Sequence, residues 1–169
     1  MPHPRRDLVP LAVILAVAAA LRIWRLGHGL PDFVEEAIPL RRALEMGGWQ
    51  ASPQLNPHFF NYPSLVIYLQ LALVRLQIAL GLASGHLHDP ADFWVLFQGD
   101  PTAPVMIARA LGIAADLAAV AGAWWLASRL RSGAGPFAAA VVAGSAVLIR
   151  TSRLVQIDPF LSAAVFWAV

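Results

Sequence analysis

Pro104-Val-Met-Ile-Ala-Arg109-Ala-Leu-Gly-Ile-Ala-Ala-Asp116-Leu-Ala-Ala-Val-Ala-Gly-Ala-Trp-Trp-Leu-Ala127 is followed at once by Ser128-Arg129-Leu130-Arg131-Ser132-Gly133-Ala134-Gly135. The first stretch is long and apolar enough to form a helix across a hydrocarbon core of about 30 Å. The second is a short basic turn, which the positive-inside rule places in the cytoplasm. A further apolar run from Pro136 to Ile149 leads back across, so the pair predicts an antiparallel hairpin of membrane helices. Arg109 and Asp116, seven residues apart on one helical face, are expected to turn to the bundle interior, paired with each other or with helices absent from this stretch, because an unpaired charge is costly in lipid. Gly112, Ala115, Ala119, Gly122 and Ala123 allow the close helix contact that membrane packing uses.

Composition agrees. The chain of 169 residues is 59% hydrophobic and 13% charged, where a soluble domain carries about a quarter charged residues. It has no cysteine, which excludes disulfides, thiol nucleophiles and thiolate metal sites. All twelve basic residues are arginine, a feature we ascribe to genomic base composition. They stand singly or in pairs at the ends of apolar runs, the pattern of topology anchors and not of a nucleic-acid surface.

Working outward, the run Leu8 to Leu21 is preceded by Arg5-Arg6 and closed by Arg22, Trp24 and Arg25. It predicts a first span over about 8–25 with a cytoplasmic N-terminus, Arg22 snorkelling to the interface. A cleavable leader with Ala18-Ala19-Ala20 as the cleavage site is the alternative. Residues 26–103 hold seven of the ten acids against three arginines and read as one long external loop. Within it, 35–47 predicts a short amphipathic helix with Ala37, Leu40, Ala43 and Leu44 on one face and an Arg41–Glu45 pair on another. Pro39 is tolerable only in the first turn, so Glu35 and Glu36 sit at or just before the helix N-terminus, where the dipole favours their ionised form.

Residues 63–83 are long enough to span but contain Gln70, Arg75 and Gln77. The N-terminus and the 128–135 turn both lie inside, so an even number of spans separates them; 63–83 is therefore read as a surface-lying or re-entrant helix. The spans that follow are about 104–128 and about 136–154. Residues 160–169 begin a fourth, which is expected to continue in a longer protein. This count puts Glu35, Glu36 and Asp158 on one external face.

That order of parts resembles the GT-C superfamily of polyprenyl-phosphate-sugar-dependent glycosyltransferases. It is most similar to the family 39 branch of protein O-mannosyltransferases and lipid A aminoarabinose transferases. The residues carrying the resemblance are Glu35-Glu36-Ala37 with Ala43 and Gly47, then Asn61-Tyr62-Pro63-Ser64-Leu65, Arg109, the Arg129–Gly135 turn, and Arg153 to Asp158. The resemblance implies an all-α polytopic fold with horizontal juxtamembrane helices in the first external loop. It also implies inverting transfer from a polyprenyl-phosphate-linked sugar at the periplasmic face of a bacterial inner membrane, with lipid around the protein and no nucleic acid as partner. The family's catalytic aspartate is Glu35 here, one methylene longer, and Asp32 is a substitute three residues earlier.

The chemistry needs a carboxylate to take the acceptor's proton and positive charge for the departing phosphate. Glu35 or Glu36 supplies the first. Arg150 and Arg153, one helical turn apart, supply the second with a fork suited to phosphate. Asp158 would orient the acceptor or a divalent cation; no ligand set for a metal is legible. His58 and Tyr62 are candidates for substrate contact. Against this stands the plainer alternative that the acids are solvated and the arginines anchor the helices. His86-x-His88 beside Asp89 and Asp92 invites a zinc site, but no scaffold is visible. Phe59, Phe60, Tyr62, Phe93, Trp94 and Phe97 suit an interfacial aromatic belt better than sugar stacking. The rival class is a non-enzymatic polytopic protein such as a transporter half, which would place charges near mid-membrane beside broken helices.

The topology is testable because the chain lacks cysteine. Single cysteines at Glu35, Ser84 and Asp158 should react with an impermeant thiol reagent on intact cells, and Ser132→Cys only after permeabilisation. Labelling of Ser132→Cys on intact cells would reverse the assignment. Protection of both Ser84→Cys and Asp158→Cys would make 63–83 a span.

Overall fold

Helices account for every regular element of the computed structural model, which describes residues 4–30, 38–61 and 63–169, with side chains from Leu8 onward. Eight helices follow in order: α1 (Pro4–Ile23), α2 (Ile38–Glu45), α3 (Ser64–Ala83), α4 (Pro90–Gly99), α5 (Thr102–Leu130), α6 (Gly135–Ala143), α7 (Ala146–Ser152) and α8 (Asp158–Trp167). Two of them, α3 and α5, are long and apolar enough to cross a membrane, and α6 with α7 makes a third if the bent pair is one span. The chain divides into two compact units. One comprises 1–26, 109–154 and 158–169, and the other 27–108 with 155–157.

In the first unit, α1 packs against α6 and α7. Ala18, Val120, Trp124, Ala139 and Ala143 form the buried core, with Leu11, Ile14, Leu15, Leu117 and Val142 against it. Three of the five core residues are alanines, which lets the helix backbones approach closely. Helix α5 has 29 residues and is about 43 Å long, more than the hydrocarbon needs. A side chain added at Gly112 would meet the Ser152 carbonyl at 3.2 Å, and one at Gly122 would meet Phe166 at 2.8 Å. Both glycines are points of close approach, as the small-residue pattern predicted.

The expected continuous span over 136–154 is broken. Helices α6 and α7 meet at an angle of 59°. The break falls on Gly144-Ser145, the residue pair at which sharp helix kinks recur. Gly144 N–H still donates to Ala140, and Ile149 N–H restarts the ladder on Ser145.

In the second unit, α2 packs on α3. Pro39, Leu40, Ala43 and Leu44 are buried; the last three belong to the face that the period predicted, and Ala37 lies outside the described residues. Gly47, with φ of +73°, terminates the helix in the left-handed region that suits glycine. The exposed ion pair on this helix is Arg42–Glu45 at 2.6 Å, three residues apart, and not the expected Arg41–Glu45. Arg42 also lies over the Phe59 ring. On α3, Val66, Ile67, Gln70, Leu71, Val74 and Ile78 form the buried stripe, while Leu65, Leu76 and Leu80 are exposed, so both faces are apolar.

Helix α4 was not expected from the sequence. Asp89 caps it by accepting from Ala91 N–H at 2.7 Å, and Asp92 reaches back to the N–H groups of Asp89 and His88 at 2.9 and 2.8 Å. This is a capping box with Pro90 in the first turn. Phe93 is buried in the core with Leu40, Leu44, Val74 and Ile78, so it does not belong to an interfacial belt. Trp94 stacks between Trp49 and Phe97.

The Asp89 and His88 N–H groups hold the Asp92 carboxyl below its ordinary pKa of 3.8. A depressed native pKa contributes stability above the unfolded value, and that contribution is lost as pH falls through the native one. Asp92→Asn should therefore lower the thermal midpoint near neutral pH. The gap from wild type should close as pH drops below 3.8. A gap independent of pH would assign the effect to shape and not to charge.

Candidate functional site

The residues singled out from the sequence distribute unevenly over the structure. Asp32, Glu35, Glu36 and Tyr62 lie outside the described residues. His58 is in the second unit, exposed, with a positive φ of 47° and its N–H donating to the Asn56 side chain at 3.0 Å. Arg150, Arg153 and Asp158 are together in the first unit. Arg150 is exposed in the last turn of α7, and Arg153 caps that helix, its N–H bonded to the Arg150 carbonyl at 3.3 Å. The one-turn spacing read from the sequence is therefore present. Asp158 opens α8 and is exposed.

Beneath this turn is a polar centre that the sequence did not disclose. Arg22, expected to snorkel to the interface, has no exposed surface. Its Nε donates to the Asp116 carboxylate, and its Nη1 donates to the carbonyls of Ala18 and Ala143, each at 3.0 Å. Asp116 is equally buried. The Arg109–Asp116 pairing is thus corrected on this point: Asp116 pairs with Arg22, and Arg109 donates to the Leu26 carbonyl.

The Ala143 carbonyl is the acceptor that an unbroken helix would give to the Val147 N–H. The bend frees it, and Arg22 takes it. Arg153 Nη2 donates to the Leu21 carbonyl, one residue before Arg22. Ser152, fully buried, donates to Ile149 at 3.2 Å. Arg22 Nη2, Asp116 Oδ1 and Arg153 Nε have no hydrogen-bond partner among the described residues.

Three guanidinium groups therefore converge on carbonyls at or just after the last turns of α1: Ala18, Leu21 and Leu26. A helix C-terminus is where unpaired carbonyls and the negative dipole end favour cations. Asp116 is the carboxylate that pairs with Arg22 among them. The signal that could have located the centre was Asp116 itself, since an acid in a span demands a cation. The sequence offers several, and periodicity does not choose among them.

No group of three His, Asp or Glu side chains among the described residues could hold a metal ion, so the His86–Asp92 segment forms no such cluster there. Asp89 and Asp92 are engaged in the helix cap instead. No protein-family model, curated protein or solved structure matches this chain.

Removing one member of a buried pair strands the other. Arg22→Ala should cost about 3–5 kcal/mol, whereas Arg42→Ala, at an exposed pair, should cost about 1 kcal/mol or less. Thermal unfolding of both variants in one detergent checks the contrast. Equal losses would mean that the Arg22–Asp116 pair is not the energetic centre of its unit.

Proposed function

We propose that this protein is a membrane-embedded glycosyltransferase. It takes a sugar from a polyprenyl-phosphate donor and passes it to an acceptor hydroxyl at the periplasmic face of a bacterial inner membrane. The observation that carries the proposal is the cluster of guanidinium groups at the end of α1, one of which, Arg153, belongs to the turn bearing Arg150 and Asp158 and bonds the Leu21 carbonyl. A phosphate leaving group needs fixed cations where its charge develops. The resemblance of the Glu35-Glu36-Ala37 and Arg153–Asp158 stretches to the GT-C pattern gives the same assignment.

The acceptor oxygen attacks the anomeric carbon, the bond from that carbon to the phosphate oxygen breaks, and the configuration inverts. The acceptor's proton passes to a carboxylate, Glu35 or Glu36, with Asp32 as the alternative. Arg150 and Arg153 face the phosphate as it departs with the electron pair. Asp158 orients the acceptor, and His58 and Tyr62 contact substrate.

A second reading, a transporter half or another non-enzymatic polytopic protein, is favoured by one observation. The broken α6–α7 pair has a buried ion pair at its bend, which is how transporters build midplane sites. Activity separates the two.

In the full-length protein, Glu35→Gln should lower sugar transfer by about 10²–10⁴-fold with membrane insertion intact, because the amide keeps the shape but cannot take the proton. Near-normal transfer by Glu35→Gln with a dead Glu36→Gln or Asp32→Asn moves the base to that residue. Survival of all three removes the enzyme reading. Arg153→Lys should lower kcat more than it raises KM for the donor, since an interaction strengthened in the transition state acts on turnover. Unchanged constants would leave Arg153 a structural cap.

A further inference from the structure

We propose that Arg22, with Asp116 as its counter-ion, is a positioning residue that aims the turn carrying Arg150, Arg153 and Asp158. Its catalytic consequence rests on the transferase reading above; its geometric part does not. Two successive residues of α1 hold both arms of the broken span. Arg22 Nη1 bonds the carbonyl of Ala143, the last residue of α6, at 3.0 Å. The Leu21 carbonyl receives Arg153, the C-cap of α7. Between these two grips lie only Gly144, Ser145 and the seven residues of α7. The direction of α7 is thus fixed at its base and at its far end by one turn of one helix, and α1 packs against both arms.

The grip at the base answers a need that the break creates. A carbonyl freed by a break in lipid must find a donor, and each unsatisfied group there costs several kcal/mol by the bilayer rule. Arg22 reaches its own helix at Ala18, the end of α6 at Ala143 and the middle of α5 at Asp116 with one planar fork. The compact ammonium of a lysine cannot span those three points. Asp116 compensates the charge and orients the fork. Neither side chain is exposed, so an interfacial anchoring role is ruled out. Straightening or splaying the bend would swing Arg153 away from the position it holds beside the end of α1, and Arg150 with it.

The test places spin labels at Phe137→Cys on α6 and Val165→Cys on α8, both exposed sites in a chain without cysteine, with the protein in nanodiscs. Distances are measured by pulsed electron resonance in three backgrounds: wild type, Arg22→Lys, and Arg22→Met with Asp116→Leu. The double variant carries no stranded charge, so it should insert and fold where a single loss might not. We expect one narrow distance distribution in wild type, and a shifted or broadened one in both variants. In steady-state transfer from a polyprenyl-phosphate sugar, kcat should fall by about 10²-fold in both, with KM for the donor little changed. A wild-type distribution in either variant overturns the proposal. So does a shifted distribution with unchanged kcat, which would leave Arg22 a lock without a positioning role. Should the full-length wild-type protein transfer no sugar, the enzyme reading falls, while the distances still decide whether Arg22 sets the bend.

Discussion

The ion pair between Arg22 and Asp116 is the constraint around which the unit built from α1 and α5–α8 is organised. Taking two charges out of water costs several kcal/mol per ion, and their attraction recovers this only when further hydrogen bonds complete the geometry. Arg22 has those bonds, to Ala18 and Ala143. The second of them is available only because α6 stops. The break and the buried arginine therefore require each other. Gly144-Ser145 lets the helix bend, the bend exposes a carbonyl, and the guanidinium satisfies it where water cannot. An arginine without the break would have one acceptor fewer, and a break without the arginine would leave a polar group in an apolar core.

Elements whose evidence is local were legible from the sequence. Residues 104–128 were expected as a span and α5 occupies Thr102–Leu130, because length and hydropathy suffice. The buried face of α2 followed from a period of three to four residues. What failed depended on partners far along the chain or on small residues. Arg22 sits at the end of an apolar run, where a snorkelling anchor and a buried cation have the same pattern; its partner is 94 positions away. The apolar run of α6 and α7 continues through the bend, so composition hides it. Asp89 and Asp92 have the spacing of a capping box, but with His86 and His88 beside them the same residues also have the composition of a metal site.

The site was less legible than the fold. The Arg150–Arg153 spacing and the exposed Asp158 are as the sequence implied, because they are properties of one helix end and one helix start. The carboxylates near residue 35 lie outside the described residues, so their relation to that turn is a matter for the mutants. Helix α3 poses a different question. Leu65, Leu76 and Leu80 are exposed opposite a buried apolar stripe, and a helix lying on a membrane surface would show water a polar face there. Whether it crosses the bilayer or lies within it, its outer face needs an apolar neighbour.

An arginine-only chain reads first as a consequence of base composition, but the side chains are used in a way lysine would serve poorly. Arg22, Arg75, Arg109 and Arg153 all donate to main-chain carbonyls, at Ala18 and Ala143, Gln50, Leu26 and Leu21 respectively. Carbonyls lose their partners at helix ends and breaks, and a chain of short, bent and capped helices has many of both. A guanidinium stays charged, carries five donors and is more weakly hydrated than an ammonium, so it can serve several such groups at modest desolvation cost. Three of these four arginines serve the end of α1. Arg153, which closes the backbone there, also belongs to the Arg150–Asp158 turn, so its structural and proposed catalytic roles draw on the same charge. A phosphate arriving at that turn would meet dipoles and cations already fixed by the fold, which is the condition under which electrostatic stabilisation costs no reorganisation.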